Sequence, residues 1–160
     1  FANYYHLTAT TQAESAEIKI SNPEDWVTYV TKVDDEDVIE LNEGHTLTIE
    51  EAAGSPTSEV KIIVNGSCTI KGHSGYIENL HIEEKPGTEM DVTLNNLHTK
   101  TLAAHYAYRQ YNGTIHLIGN NELIGGDNNA ISGGGSAITI DSDSSGTLIA
   151  ISTPILPRMV

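Results

Sequence analysis

The stretch His105-Tyr106-Ala107-Tyr108-Arg109-Gln110-Tyr111 gathers three tyrosines around one arginine. Read as a strand, it puts Tyr106 and Tyr108 on one face and Arg109 and Tyr111 on the other. A sugar ring presents a flat apolar C–H face that a tyrosine platform holds, and an arginine fork pairs with a uronate carboxylate through two parallel hydrogen bonds. Tyr106, Tyr108, Arg109 and Tyr111 are therefore the candidate ligand-binding residues. The competing use of these side chains is core filling, with Ala107 or Tyr108 stacked on Ala130 or Ile131, 23 residues later.

A second candidate is Asp141-Ser142-Asp143-Ser144-Ser145-Gly146. It matches the first six positions of a calcium loop, with oxygen ligands at alternate residues and glycine at the sharp turn. The twelfth position, a bidentate glutamate in an EF-hand, is Ser152 here. A neighbouring segment would have to supply that carboxylate, and Asp127 and Glu122 are the candidates. The expected metal set is Asp141, Asp143, Ser145 and Asp127, with calcium as the cofactor; a plain polar turn is the alternative. Seven histidines are present, and the pairs His73/His98 and His81/His105 lie about one repeat apart and are placed to stack. None has the close spacing of a metal site, so they are expected as solvent-facing polar residues.

Catalysis is the weaker expectation. Arg109 is the only arginine inside the repeats described below, and no Asp-Asp pair recurs on neighbouring strands. Phosphate loops, nucleophile elbows and zincin motifs are missing from the sequence.

The elements that must carry these residues show up as a repeat. Five triplets read apolar–polar–apolar: Leu47-Thr48-Ile49, Cys68-Thr69-Ile70, Val92-Thr93-Leu94, Ile115-His116-Leu117 and Ile138-Thr139-Ile140. Their centres are 21, 24, 23 and 23 residues apart. A second series lies between them, at Val60-Lys61-Ile62, Ile77 to Ile82, Ala130-Ile131 and Leu148-Ile149. Turn signals such as Asn65-Gly66, Asn95-Asn96, Asn112-Gly113 and Gly119-Asn120 separate them. An antiparallel β-sandwich also has short strands and frequent turns. Only a parallel β-helix keeps one triplet recurring near 23, because each coil stacks a strand on its copy below.

Residues 1–35 fall outside the repeat. Glu17 to Ile20 alternates as a strand, and Ser21-Asn22-Pro23-Glu24-Asp25 reads as a helix start with a capping residue, an early proline and two acids at the positive end of the dipole. Trp26, Tyr29, Val30 and Val33 follow at helical spacing as one apolar face, suited to covering the open end of a solenoid. Asp34-Asp35-Glu36-Asp37 reads as a solvated turn. The expected organisation is a cap over 1–35, coils over 36–151, and a tail over 152–160 that is a flap or the cut end of a longer protein, with Pro154 and Pro157 excluding a regular helix or a central strand.

The segment Asp91 to Ile151, with Asp91-Val92-Thr93-Leu94-Asn95-Asn96-Leu97, Asn112-Gly113-Thr114-Ile115-His116-Leu117-Ile118-Gly119-Asn120-Asn121 and Ser136-Ala137-Ile138-Thr139-Ile140, resembles the repeat of bacterial carbohydrate-binding β-solenoid proteins. The resemblance implies a right-handed parallel β-helix, an extracellular or cell-surface location, and cellulose or acidic plant glycans as ligands, with calcium in some members. It covers about 60 residues well and transfers no ligand-contacting residue. Its motifs follow from the fold more than from any function.

Composition agrees. Eight valines, 18 isoleucines and 17 threonines favour strands. With 22 acids against 8 Lys+Arg the net charge is −14, the wrong sign for tracking nucleic-acid phosphates or an anionic membrane. No apolar run reaches membrane-spanning length. One cysteine, Cys68, rules out an intrachain disulfide. The expectation is a non-catalytic polysaccharide-binding solenoid. A self-associating surface or filament subunit that stacks end to end is the alternative, and a polysaccharide lyase the least favoured.

Overall fold

The structure is a computed structural model that describes residues 16–101, 105–126, 129–134 and 136–153. It is an all-β solenoid of about five turns. The pairings are parallel except in one hairpin, so the sandwich alternative falls.

Each full coil visits three sheets. The first contains β1 (Glu17–Ile20), β4 (Thr46–Ile49), β6 (Ser67–Lys71), β9 (Met90–Asn95), β12 (Gly113–Ile118) and β15 (Thr139–Ile140). The second contains β7 (Ile77–Glu78), β10 (His98–Lys100), β13 (Asn120–Gly125) and β16 (Thr147–Ser152). The third runs β2 (Thr31–Val33), β3 (Glu36–Asn42), β5 (Val60–Asn65), β8 (Leu80–Glu84), β11 (Tyr108–Arg109) and β14 (Ile131–Ser132). The corners fall where the backbone turns left-handed. Asn79 (φ 61°) separates β7 from β8, Asn96 (φ 50°) separates β9 from β10, and Gly119 (φ 65°) separates β12 from β13. Asparagine and glycine are the residues that tolerate this region.

The triplets form the first sheet. Cys68, Val92 and Ile115 pair in register, as do Ile70, Leu94 and Leu117, and all point inward. Two intervals differ from the expected spacing. Leu47 pairs with Ile70 and not Cys68, and Ile115 pairs with Ile140 and not Ile138. Each is a slip of two residues, which keeps every side chain on its own face and so leaves the alternation unchanged. The second series divides between two sheets, because Asn79 breaks the run Ile77 to Ile82 at a corner.

The core is a set of ladders along the solenoid axis. Ile39, Ile62, Ile82, Tyr108 and Ile131 are successive partners on the third sheet, and the first four are buried. Each such aliphatic side chain taken out of water contributes about 1.5–3 kcal/mol. Asn121 is a buried polar residue fully used: its side chain accepts from the Leu97 N–H of the coil below and donates to the Thr147 carbonyl of the coil above.

The helix α1 (Pro23–Tyr29) starts as its sequence demands, with a capping box between Asn22 and Asp25. It has seven residues, and the expected four-residue apolar face is corrected. Trp26 is buried and donates through Nε1 to the Ala53 carbonyl, and Val30 is half-buried, but Tyr29 and Val33 are exposed. The helix ends before Val33, which belongs to β2. Asp34 and Asp35 (φ 49° and 65°) make the two-residue turn joining β2 to β3. Glu36 and Asp37 are no part of that turn; they open β3 and pair with Lys61 and Lys32. The two-proline tail from 154 onward lies outside the described residues.

Candidate functional site

Strands β3, β5, β8 and β11 lie side by side on the third sheet, so their outward positions form columns along the axis. Alternation decides which side chains these are: Lys61 precedes inward Ile62, His81 and Glu83 flank inward Ile82, and Arg109 follows inward Tyr108. Together with Glu36, His105 and Tyr106 they line a groove of about 290 Å³.

Tyr108 is a correction to the expected ligand set. It is 0% exposed, with its hydroxyl donating to Gln110 Oε1 at 2.8 Å, and it fills the core opposite Ile82 and Ile131. Burial, with Glu84 and Asp91 adding to it, pushes its phenol well above the ordinary tyrosine range. The expected division of faces fails with it, because β11 is only two residues long and the chain bends ahead of it. Tyr106 therefore joins Arg109 and Tyr111. The Arg109 guanidinium carbon lies 5.5 Å from the Tyr106 ring centre and 4.9 Å from that of Tyr111. Such cation–π contacts contribute roughly 0.5–1 kcal/mol each at partly exposed sites. Glu84, buried on the inward side, fixes the turn that holds Tyr111 by accepting from the Tyr111 and Asn112 N–H groups. The Tyr111 ring also rests against Gly134 of the next coil, where a Cβ would clash with it.

Among the described residues Arg109 makes no ion pair, and its Nε is buried without a hydrogen-bond partner. Its neighbour Lys61 is committed to Glu36 and lies 3.6 Å from Glu83. The Lys61 hydrogen bond holds the Glu36 carboxyl below its usual range, with the His81 and His105 rings adding to the effect.

The histidine pair is the feature that sequence reasoning undervalued. His81 and His105 do stack, with ring centres 4.7 Å apart and planes 3° from parallel. His81 is not solvent-facing, however: it is 6% exposed, and its Nδ1 lies 3.1 Å from Glu59 Oε1. The 24-residue spacing carried the signal for the stack. Nothing local showed that His81 would be roofed over. His73 and His98 do not stack; His98 Nδ1 donates to the His73 carbonyl at 2.8 Å.

Three of the expected calcium residues, Asp141, Asp143 and Ser145, lie on one turn. Asp141 accepts from the Asp143 N–H at 3.1 Å and from His116 Nδ1 at 2.6 Å, contacts that hold its carboxyl below the ordinary range. The Ser144 N–H donates to the Asp141 carbonyl, and the Ser145 N–H to Leu117. The segment is thus a hydrogen-bonded turn docked on β12. Asp127 lies outside the described residues. Among those described, no three His, Cys, Asp or Glu side chains converge as a metal-ligand group. Cys68 is buried and its thiol is pushed up to about 11, chiefly by burial, which leaves it protonated and unreactive at neutral pH.

Among the described residues no helix is long and apolar enough to cross a membrane. No protein-family model, curated protein or solved structure matches the chain.

Proposed function

We propose that the outer face of the third sheet binds a polysaccharide, with Arg109 as the anchor and Tyr106 and Tyr111 as the walls that hold it. The observation that supports this reading most directly is the unpaired guanidinium held between two tyrosine rings, its buried Nε lacking an acceptor. Nε is closed off from solvent, so a ligand carboxylate would meet the fork at its terminal nitrogens, where a hydrogen bond to a charged group contributes about 1.5–3 kcal/mol. Strands spaced about 4.8 Å apart make the face from β3 to β11 roughly 14 Å long, a straight track for an extended chain of sugars. In this reading the groove binds and does not cleave, since Glu36 and Glu83 both face Lys61 and Glu59 faces His81. A cell-surface or secreted location goes with that ligand class.

The test is calorimetry and affinity electrophoresis against pectin, cellulose and xylan. Arg109→Ala is expected to weaken binding by about 2 kcal/mol, roughly 30-fold. Arg109→Lys falls between the two, because an ammonium keeps the charge and loses the fork. Retention unchanged by Arg109→Ala overturns the reading.

A second reading, end-to-end self-association, has its own observation. Ile140, Ile149 and Ile151 are 49%, 54% and 40% exposed on the last described coil, where β15 and β16 are edge strands. Unpaired edges of this kind are templates for pairing. Sedimentation velocity across a concentration series is expected to show growing oligomers that Ile149→Lys abolishes; a monomer at every concentration removes this reading.

A further inference from the structure

We propose that the stacked imidazoles of His81 and His105 make the groove a pH-gated subsite for an anionic sugar, which takes up a uronate carboxylate when the pair holds a proton and releases it when the pair is neutral. This rests on the glycan-binding reading above and adds the ligand class and its control.

The argument starts from one ring. A carboxylate only accepts, so the Glu59 contact assigns the proton to His81 Nδ1. In the neutral ring Nε2 is then a bare lone pair. It is buried with no partner, and His81 lines the same groove as Arg109, whose Nε is also buried and unpartnered. The two side chains thus bring their charge to one groove. The protonation state decides which ligand. Nε2 itself is closed off from solvent, so the ligand senses the pair through its charge and through the half-buried His105 ring: a neutral pair offers an anion nothing, and a protonated pair attracts a carboxylate. An anionic sugar therefore needs the proton, and a neutral one does not.

The surrounding charges set the balance. Lys61 on β5 and Arg109 on β11 oppose Glu36 on β3 and Glu83 on β8. Glu59 stands behind His81, and the β2–β3 hairpin contributes Lys32, Asp35 and Asp37 at the rim. The cations and carboxylates lining the groove itself cancel, and Glu59 with the rim groups adds two net negative charges, so each proton taken up lessens the repulsion an anion meets. The two rings are 4.7 Å apart, so two charges on the pair would repel each other. Imidazole is the side chain whose ordinary titration falls between pH 5 and 8.

The experiment is calorimetry of the full chain with a short oligogalacturonate and with its methyl-esterified, uncharged counterpart, at pH 5.5 and 7.5 and constant ionic strength. The acidic oligomer is expected to bind about tenfold more tightly at pH 5.5, and the ester equally at both. In His81→Gln the response disappears. In Glu59→Gln, which keeps the ring but removes its carboxylate partner, the tighter binding at pH 5.5 shrinks. Equal affinity of the acidic oligomer at both pH values, or a response unaltered in both variants, overturns the gate. If both oligomers bind at both pH values through Arg109, the gate fails and the glycan reading stands. If neither binds at either pH, both fail.

Discussion

Tyr108→Ala is expected to lower stability by about 4 kcal/mol, near the upper end for a large buried side chain replaced by alanine. Tyr108 is fully buried, stacked between Ile82 and Ile131 on the adjoining coils, and close to Met90. Truncation opens a cavity in the middle of a ladder, and neighbours pinned by backbone pairing on both sides cannot close it. It also strips the hydroxyl from Gln110 Oε1, a side chain that is itself 1% exposed. Tyr108→Phe isolates that second part and is expected to cost about 1–3 kcal/mol. Urea denaturation of the three proteins measures both. At this chain length the alanine variant's midpoint temperature should fall by about 10 °C. Tyr108→Phe should keep whatever ligand affinity the wild type has, since the hydroxyl faces the core. A Tyr108→Ala protein as stable as wild type would mean that this residue does not sit inside the solenoid.

Gly113→Ala is expected to be comparably damaging, for a different reason. Gly113 begins β12 opposite Met90, with φ 114°, a conformation that L side chains rarely adopt. A Cβ there would lie 2.6 Å from the Met90 carbonyl carbon and 2.9 Å from its nitrogen, and closer still to the carbonyl oxygen. Those atoms are backbone and cannot rotate aside. Either β12 parts from β9 at this point or the corner rebuilds, and a loss of about 3 kcal/mol or more is expected. Gly44→Ala is the control. Gly44 also has a positive φ, 80°, but nothing lies within 4 Å of its missing Cβ. It should cost only the backbone strain, about 1–2 kcal/mol. Equal losses in the two variants would show that φ alone, and not contact between coils, sets the cost.

Much of this architecture could be read from the residues. Cys68, Val92 and Ile115 recur at the spacing of the coils, and they pair as that spacing implies. Leu47 and Ile138 misled by two residues, because a period of two cannot distinguish such a slip. The third side of the coil was missed. Its first two strands, β7 and β10, are short, and on β10 the inward position is Thr99, a polar residue in a ladder with Ile77 and Leu123. The site divides in the same way. Arg109, Tyr106 and Tyr111 stood out by type and proximity in the chain. Lys61, His81 and Glu36 come from other coils, up to 73 residues from Arg109 in sequence, and only stacking assembles them. Tyr108 could not be assigned by type, since tyrosine serves both in cores and at surfaces. The single inward position of a two-residue strand decided it.

Stacking of each coil on its neighbour also governs how the molecule comes apart. Nearly every strand is paired through its backbone with partners about 23 residues before and after it, and the Lys85–Glu40 salt bridge adds a link two coils long. Such a structure is a one-dimensional array in which disturbance travels only from neighbour to neighbour. The loosening of β16 is felt at β13, then at β10, before it can reach β7. Under tension along its axis the array would yield as a moving front, one turn at a time, at a force set by its weakest adjoining pair. Its resistance to pulling is therefore a property of the poorest interface in the stack, however well the rest is packed.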